Sequence, residues 1–251
     1  MGTLVTRQDK DGVATLTLNR PDKLNAINIP LMIELRDHLD RLAGDESVGC
    51  VILTGAGRSF CSGHDLESIA SGERAPSRHF ESETVDALDR LPQPTIAKIR
   101  GHCFTGGLEL ALGCDLLVAT DSAALGDTHG QWGLVPVWGM SVRLPERVGL
   151  STAKQLMFTS RRISGDEAAR IGLVDRVCSE DEIDASVEEL AREIAENSWD
   201  TNRIVKQLMR THADGSRSHA LAYEKLAPLG MPRDLKERMS GRSKGKKGGK
   251  A

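Results

Sequence analysis

One local pattern recurs along the chain and restricts its fold: a buried strand, then a glycine-containing loop, then a helix. It occurs over residues 48–66 and again over residues 95–113. The segment VGCVILT is a short, almost continuous apolar run, which is typical of a strand covered on both faces. The two units share no fixed sequence repeat, but they share an architecture. The pattern predicts an α/β fold.

The N-terminal segment predicts a hairpin followed by an amphipathic helix. The alternating segments LVTRQ and VATLTL flank the turn DKDG, whose Asp-Gly pair favours a tight hairpin. Pro30 is a suitable first residue for the next helix. The leucines of that helix recur at helical spacing and form one apolar stripe: Leu31, Leu35, Leu39 and Leu42.

The second half of the chain is mainly helical in pattern. Thr152-x-x-Gln155 and Ser164-x-x-Glu167 have the spacing of capping boxes, which predicts a helix after each. Residues 181–228 have helical periodicity and few strand signals. We therefore predict a helical C-terminal lobe.

Charge and composition divide the chain further. Residues 240–251 hold five Lys or Arg and no acid, and they are rich in glycine, so we expect a basic, disordered tail. The rest has 28 basic and 36 acidic residues, a net charge of −8, which argues against nucleic acid as a partner. The predicted organisation is a core over 1–195, a helical oligomerisation lobe over 196–239 and the tail.

Several classes of protein are not favoured. The chain has no apolar run near the roughly 18 residues that a membrane span needs, and its charged N-terminus has no signal-peptide core. The cysteines are odd in number and form no CxxC pair, which favours a reducing compartment and no zinc site: Cys50, Cys61, Cys103, Cys114 and Cys178. We expect a cytoplasmic protein without a bound metal.

Ordered motifs resemble those of the enoyl-CoA hydratase/isomerase (crotonase) family. They are RPDKLNAI (20–27), FCSGHDL (60–66) and GHCFTGGLELALGCDLLVAT (101–120), with looser similarity over 125–149 and 164–177. The resemblance covers residues 3–230. It implies a spiral of ββα units with a helical trimerisation lobe, a trimer or dimer of trimers, an acyl-CoA thioester as substrate, and no cofactor beyond the coenzyme A of that substrate.

The same resemblance implies an oxyanion hole made of two backbone N–H groups. By position these belong to His64 and Gly106, each in a glycine loop that precedes a predicted helix. Free N–H groups at helix starts can stabilise the oxygen of a thioester enolate. Only the backbone is required at His64, so its side chain is free for another role. Taken alone, the loops fit ordinary turns better than an oxyanion hole, and only the ordered family motifs favour the second interpretation.

Glu109 is the candidate acid/base. It follows Gly106 by three residues, which places both on one helix face. Its neighbours Leu108, Leu110 and Ala111 would desolvate the carboxylate and raise its pKa. The resemblance assigns a catalytic glutamate to this position. A solvent-facing helix charge is the alternative.

His129 occupies the position where hydratases and isomerases of the family carry a second catalytic glutamate. A histidine can still exchange protons near neutral pH, and Asp127 could orient its ring from the same segment. The alternative is a histidine that only hydrogen-bonds in the pocket wall.

The remaining candidates surround the expected substrate. The resemblance assigns substrate or coenzyme A contacts to Lys23, Leu24, Ala26, Ser62, Asp65 and Leu66. Asp65 also fits a helix-start residue that anchors the oxyanion loop. Cys61 and Ser62 have no base at a readable spacing, which favours loop packing over nucleophilic catalysis. Lys98 and Arg100 fit solvated charges at a strand end better than nucleotide contacts. Trp132 and Trp138 line the acyl pocket or pack the core.

These assignments predict a lyase of fatty acid or lipid metabolism that resembles enoyl-CoA hydratase. Glu109 favours hydration, whereas His129 counts against an isomerase. The alternative enzymes are a CoA-ester decarboxylase or an isomerase of the same family. Some decarboxylating members also resemble this chain in having Gly-His-Asp at the first oxyanion loop. A non-catalytic acyl-CoA-binding protein is the alternative of another class.

Overall fold

The computed structural model describes residues 2–245 of the chain. Its strands are β1 (Val5–Lys10), β2 (Val13–Leu18), β3 (Cys50–Gly55), β4 (Thr95–Ile99), β5 (His102–Phe104), β6 (Leu116–Thr120), β7 (Ala124–Gly126), β8 (Ile163–Ser164) and β9 (Arg176–Cys178). Six of them form a sheet of order β1-β2-β3-β4-β6-β9, which is parallel apart from the antiparallel β1–β2 hairpin. Strands β5, β7 and β8 form a second, small sheet.

The helices follow the strands in alternation and then end the chain. They are α1 (Ile29–Ala43), α2 (Leu66–Ser71), α3 (Phe80–Asp89), α4 (Gly106–Leu112), α5 (His129–Trp132), α6 (Met140–Val148), α7 (Leu150–Thr159), α8 (Gly165–Arg170), α9 (Ile183–Glu196), α10 (Trp199–Ala213), α11 (Arg217–Leu226) and α12 (Leu235–Gly245). The predicted α/β class is confirmed. No helix within residues 2–245 combines the length and apolar character that crossing a bilayer requires.

The predicted hairpin and first helix are both confirmed. Asp11 and Gly12 join β1 to β2 with φ angles of 51° and 78°, the left-handed values that a tight hairpin turn requires. Helix α1 begins one residue before Pro30, and the Asn28 side chain caps it by accepting the Leu31 N–H at 3.1 Å. The four leucines of the predicted stripe are all buried.

The continuous apolar strands are covered on both faces. Val51 and Leu53 of β3 belong to the main core, together with buried residues of α1, α3 and α4. Cys50 and Ile52 alternate with them and contact a second cluster that includes residues of α9. Because neighbouring strand residues point to opposite faces, both sets must be apolar.

Of the two predicted capping boxes, the one at Ser164 is confirmed only as an N-cap, because the Glu167 carboxylate pairs with Arg161 at 2.6 Å. Ser164 caps α8, because its hydroxyl accepts the Glu167 N–H at 3.2 Å. The box at Thr152 is wrong. Helix α7 already begins at Leu150, directly after Gly149, and the Ala153 N–H donates to the Gly149 carbonyl at 3.0 Å. Thr152 therefore lies inside the helix.

The C-terminal segment is helical beyond the predicted limit. The predicted boundary between residues 195 and 196 falls at the last turn of α9, and the division into lobes stays a prediction. Helix α12 continues through Gly245, so the expectation of disorder is wrong for residues 240–245. The preceding turn of α12 is anchored by Arg238, which donates to the Glu196 carbonyl at 3.0 Å. The rest of the predicted tail, residues 246–251, lies outside the described residues.

Candidate active site

The two glycine loops lie side by side. The Cys61 N–H donates to the His102 carbonyl at 2.9 Å, and the Phe104 N–H donates back to the Cys61 carbonyl at 3.1 Å. Next to this pairing, Gly63 has a φ of 106°, and a Cβ atom there would lie 2.0 Å from the Thr105 hydroxyl. Only glycine permits both that conformation and that approach. The first loop is therefore held directly against the second.

Helix α4 begins at this junction. Its N-cap residue, Thr105, has φ 45° and ψ −118°, a combination that L residues rarely adopt, and its N–H donates to the Gly126 carbonyl at 3.0 Å. A Cβ on Gly106 would lie 2.4 Å from the Trp138 ring, and one on Gly107 would lie 2.5 Å from the carbonyl oxygen of Cys61. The start of α4 is thus closely packed against Trp138 and Cys61.

Two backbone N–H groups are free where this packing opens into a cavity. Within residues 2–245, the N–H groups of His64 and Gly106 have no protein hydrogen-bond acceptor, and the helical bonds of α4 start with Glu109 N–H to Thr105 O at 2.9 Å. Both residues line one cavity of about 510 Å³. Two rigid donors at one cavity wall can stabilise a developing negative charge.

Glu109 lies in the same cavity wall and is almost completely buried, with 2% of its surface exposed. Its Oε1 accepts two backbone N–H groups, from Trp138 at 2.8 Å and from Met140 at 3.2 Å. Its Oε2 lies 3.6 Å from Nε2 of His129. Burial raises the pKa of Glu109, although the two N–H groups and His129 offset part of that rise. Oε2 is therefore the oxygen available for proton transfer.

His129 is fixed by Asp127, as the sequence suggested. Its Nδ1 lies 2.5 Å from Oδ1 of Asp127, and its backbone N–H donates to the same oxygen at 3.2 Å. Burial by itself would lower the pKa of His129, but the hydrogen bond to Asp127 and the charges of Asp127 and Glu109 raise it overall. Asp127, His129 and Glu109 therefore lie in one row, with a hydrogen bond between the first two and 3.6 Å between the last two.

Most of the other predicted contact residues lie in the cavity wall: Lys23, Ala26, Ser62, Asp65 and Leu66. Leu24 is not among the residues that line the cavity, and its assignment as a substrate contact stays a prediction. It has a φ of 51°, within a tight turn, and its contribution is a carbonyl that accepts the Ser62 N–H at 3.0 Å. Asp65 also anchors the loop, because it pairs with Arg20 at 2.8 Å and accepts the Glu67 N–H at 3.1 Å.

Other polar residues near the motifs serve the structure. Burial raises the pKa of the Cys61 thiol to about 12, so it is an unreactive packing residue. Lys98 and Arg100 pair with Asp184 at 2.7 and 2.9 Å, as expected of charges at a strand end. No group of three or more His, Cys, Asp or Glu residues within 2–245 has the arrangement of a metal site.

Three features of the cavity could not be read from the sequence. Trp138 is buried and contacts the His64 ring, with 5.4 Å between the ring centroids, whereas Trp132 is 58% exposed at the cavity wall. The backbone of Trp138 orients Glu109, which no sequence motif indicates. Glu81, in α3, also lines the cavity. Nothing in the local sequence pattern relates Glu81 to the glycine loops.

Comparison with known proteins identifies similar chains. A sequence profile described as enoyl-CoA hydratase/isomerase matches residues 8–240. A probable peroxisomal enoyl-CoA hydratase of Arabidopsis thaliana is 36% identical over 219 residues, 87% of this chain and 83% of that protein. A 4-chlorobenzoyl coenzyme A dehalogenase of an Arthrobacter species is 35% identical over 80% of this chain and 76% of its own. The crystal structure of an enoyl-CoA hydratase from Bacillus anthracis superposes with a TM-score of 0.90 at 32% identity, covering 96% of this chain and 97% of that one.

Proposed function

The chain belongs to the enoyl-CoA hydratase/isomerase family, and from that premise we propose that it adds water to the double bond of a 2-enoyl-CoA thioester. The observation that carries this proposal is the environment of Glu109. One carboxylate oxygen is occupied by two backbone N–H groups, and the other faces His129 beside the two free N–H groups of His64 and Gly106. A general base and an enolate-stabilising site thus share one cavity.

The proposed reaction begins with water held against Oε2 of Glu109. The carboxylate takes a proton from this water as its oxygen forms a bond to the β-carbon. The electron pair of the double bond moves onto the thioester oxygen, where the N–H groups of His64 and Gly106 stabilise the enolate. His129 in its charged form then gives a proton to the α-carbon.

A proton transfer between Glu109 and His129 returns both groups to their starting protonation states. After the addition, Glu109 holds the proton from water and His129 is neutral. The 3.6 Å between Oε2 and Nε2 allows that proton to return to His129, directly or through one water, which restores both groups. Asp127 keeps Nδ1 of His129 engaged, so that Nε2 is the nitrogen that exchanges the proton.

Lys23, Ala26, Ser62, Asp65 and Leu66 are proposed to contact the coenzyme A part of the substrate. Lys23 pairs with Glu67 at 3.0 Å, and both side chains are largely exposed, which fits the entrance of the cavity. The substrate supplies coenzyme A, and the proposal requires no other cofactor.

A set of steady-state assays tests the reaction type. Turnover of crotonyl-CoA reports hydration, and turnover of methylmalonyl-CoA reports decarboxylation. Turnover of a 3-enoyl-CoA reports isomerisation, and release of chloride from 4-chlorobenzoyl-CoA reports dehalogenation. We expect the highest kcat/KM on crotonyl-CoA or a longer 2-enoyl-CoA. Turnover of another substrate without hydration would replace the proposal with that reaction. Binding of acyl-CoA with no turnover of any of them would support a non-catalytic binding protein.

The first prediction concerns the pH dependence. kcat/KM should rise with pH as Glu109 ionises, through a pKa above its usual 4.5, and fall as His129 loses its proton, through a pKa above its usual 6.5.

Two variants test the falling limb of this profile. Asp127→Asn removes a negative charge that raises the pKa of His129, so the falling limb should move to lower pH. His129→Ala should lower kcat and abolish that limb. The measurement is kcat/KM across pH for the three proteins.

His129→Glu is the complementary variant, because it restores the family's second carboxylate. It should restore the hydratase activity that His129→Ala loses, or raise it above that of the wild type. If His129→Ala keeps the wild-type kcat and pH profile, the histidine is only part of the cavity wall, and Glu109 must serve as both base and acid.

The second prediction is that the protein forms a trimer or a dimer of trimers. Helices α10 and α11 have no buried residue in the isolated chain, and Val205, Met209, Leu221 and Leu226 are exposed apolar side chains on them. Burying such surface between copies is favourable. Light scattering at micromolar concentration should give three or six times the chain mass, and a monomer there would contradict the prediction.

A further inference from the structure

The two N–H groups that bind Glu109 come from the turn at the start of α6. Trp138 and Met140 donate to Oε1 of Glu109 at 2.8 and 3.2 Å, and Gly139 lies between them with a φ of 107°. Glycine enters such a left-handed conformation without penalty, but it also leaves it easily. The direction of the two N–H groups therefore depends on contacts from outside the turn.

Arg143, in the first turn of α6, makes those contacts. Its Nη1 donates to the Trp138 carbonyl at 2.8 Å, and its backbone N–H donates to the Gly139 carbonyl at 2.9 Å. Because a peptide unit is planar, fixing the Gly139 carbonyl also fixes the Met140 N–H of the same unit. A Cβ on Gly139 would lie 2.1 Å from Nη1 of Arg143, so glycine also leaves room for the guanidinium.

The guanidinium of Arg143 is held in turn by α3. Its Nη2 donates to Oδ1 of Asp86 at 2.7 Å and to Oδ2 of Asp89 at 3.1 Å. The Arg143 side chain is 15% exposed, and a planar guanidinium with three acceptors in fixed positions has little freedom to move. A simple clamp between α3 and α6 needs only the two carboxylates. The bond to the Trp138 carbonyl is an additional contact, and it leads to the site.

We propose that Arg143 is a positioning residue for Glu109: it holds the turn so that the Trp138 and Met140 N–H groups point at Oε1, which leaves Oε2 facing His129. Arg143 does not line the cavity, so it acts through the backbone of the turn and not on the substrate. The proposal rests on the proposed function in one respect, because it takes Glu109 to be the catalytic base.

A loosened turn has a specific effect on Glu109. The two N–H groups lower the pKa of its carboxyl and oppose the rise that burial causes. The other titratable groups that face it or line the same cavity include His129, Asp127, His64 and Glu81. If the N–H groups turn away, the pKa of Glu109 rises further. The rising limb of kcat/KM then moves to higher pH.

Arg143→Met tests the proposal, because it removes the three side-chain hydrogen bonds and keeps a long side chain. We expect kcat to fall by about 10²-fold, the usual effect of a displacement of about 1 Å at a catalytic site. The rising limb should move up by about one pH unit, which corresponds to the loss of one hydrogen bond to a charged group. The Kd of a saturated acyl-CoA should be little changed.

A double substitution in α3 tests the same contacts with Arg143 in place. Asp86→Asn together with Asp89→Asn removes the two charges that hold the guanidinium, and both side chains are more than 40% exposed, so folding is less at risk. The rising limb should again move to higher pH. Added to Arg143→Met, the pair should cause no further shift, because residues that act through one contact are not additive.

Arg147→Met is the matched control. Arg147 lies one turn further along α6, and its side chain is 18% exposed. It also donates to a carboxylate and a carbonyl, those of Asp175 at 3.0 Å and Asp115 at 2.6 Å, but these do not contact the turn. Arg147→Met should lower the free energy of unfolding in urea as Arg143→Met does, and it should leave kcat and the rising limb unchanged.

The pKa of Glu109 can also be measured without turnover. In protein labelled with glutamate carrying ¹³C at the side-chain carboxyl, the Glu109 resonance is the one that Glu109→Gln removes, and its titration should move to higher pH in Arg143→Met. An unchanged pKa of Glu109 in Arg143→Met would overturn the proposal, as would an equal loss of kcat in Arg147→Met. A raised pKa in a protein without hydratase activity would overturn the proposed reaction but not the role of Arg143, and hydration with an unchanged pKa would do the reverse.

Discussion

Replacing Glu109 with glutamine is expected to lower kcat by about 10²–10⁴-fold, the usual contribution of a general acid–base group. The amide oxygen can still accept the N–H groups of Trp138 and Met140, which now bind Oε1. The amide nitrogen would replace Oε2 opposite His129 and cannot take a proton from water. The loss should therefore appear in kcat, with the Kd of a saturated acyl-CoA little changed.

Glu34→Gln is the control for this substitution. Glu34 is also a glutamate whose carboxylate accepts two backbone N–H groups, from Leu4 at 2.7 Å and Val5 at 2.9 Å, but it does not line the cavity. It should keep the wild-type kcat. If Glu109→Gln retains more than about a tenth of the wild-type kcat, the expected minimum loss of a hundredfold is not met, and Glu109 is not the base.

Replacing Gly107 with alanine is expected to lower kcat by about 10²-fold, because a displacement of about 1 Å at a catalytic site has that effect. The new Cβ would lie 2.5 Å from the Cys61 carbonyl oxygen and 2.9 Å from the Cys61 Cβ, so the two glycine loops must move apart. Overpacking of this kind typically destabilises a protein by about 1–3 kcal/mol. Both kcat and the free energy of unfolding in urea should be measured.

Gly44→Ala is the control, because it adds the same methyl group without a clash between the two glycine loops. Gly44 follows α1 with a φ of −103°, and a Cβ there would meet nothing within 4 Å. Alanine is the better helix former, by about 1 kcal/mol, so helix propensity alone predicts that Gly107→Ala stabilises α4. A folded Gly107→Ala enzyme with the wild-type kcat would show that the packing of the two loops does not position the donors.

Local patterns were sufficient for much of the fold. The hairpin of β1 and β2, the leucine stripe of α1 and the two-sided burial of β3 all depend on spacing along a few neighbouring residues. Local patterns predicted the ends of two helices wrongly. Thr152 has a valid cap sequence, yet Gly149 starts α7 earlier, and α12 continues into a segment whose composition predicts disorder.

The sequence by itself determined the types and order of the site's groups. The spacing of Gly106 and Glu109 on one helix follows from helical periodicity, and the pairing of Asp127 with His129 is a local contact within three residues. Family resemblance then predicted that the two glycine loops act together. Their mutual hydrogen bonds agree with that expectation, whereas the catalytic roles remain predictions.

Only the tertiary structure decided which atoms of distant segments contact Glu109 and which residues line the cavity. The N–H of Trp138, 29 residues from Glu109, occupies one carboxylate oxygen and leaves the other facing His129. Glu81, in α3, lines the same cavity, whereas Leu24 does not. These contacts join segments that are distant in sequence, and they depend on how helices and sheets pack. Periodicity and local hydrogen bonding determine an element's buried face, but not which atoms of another element it meets.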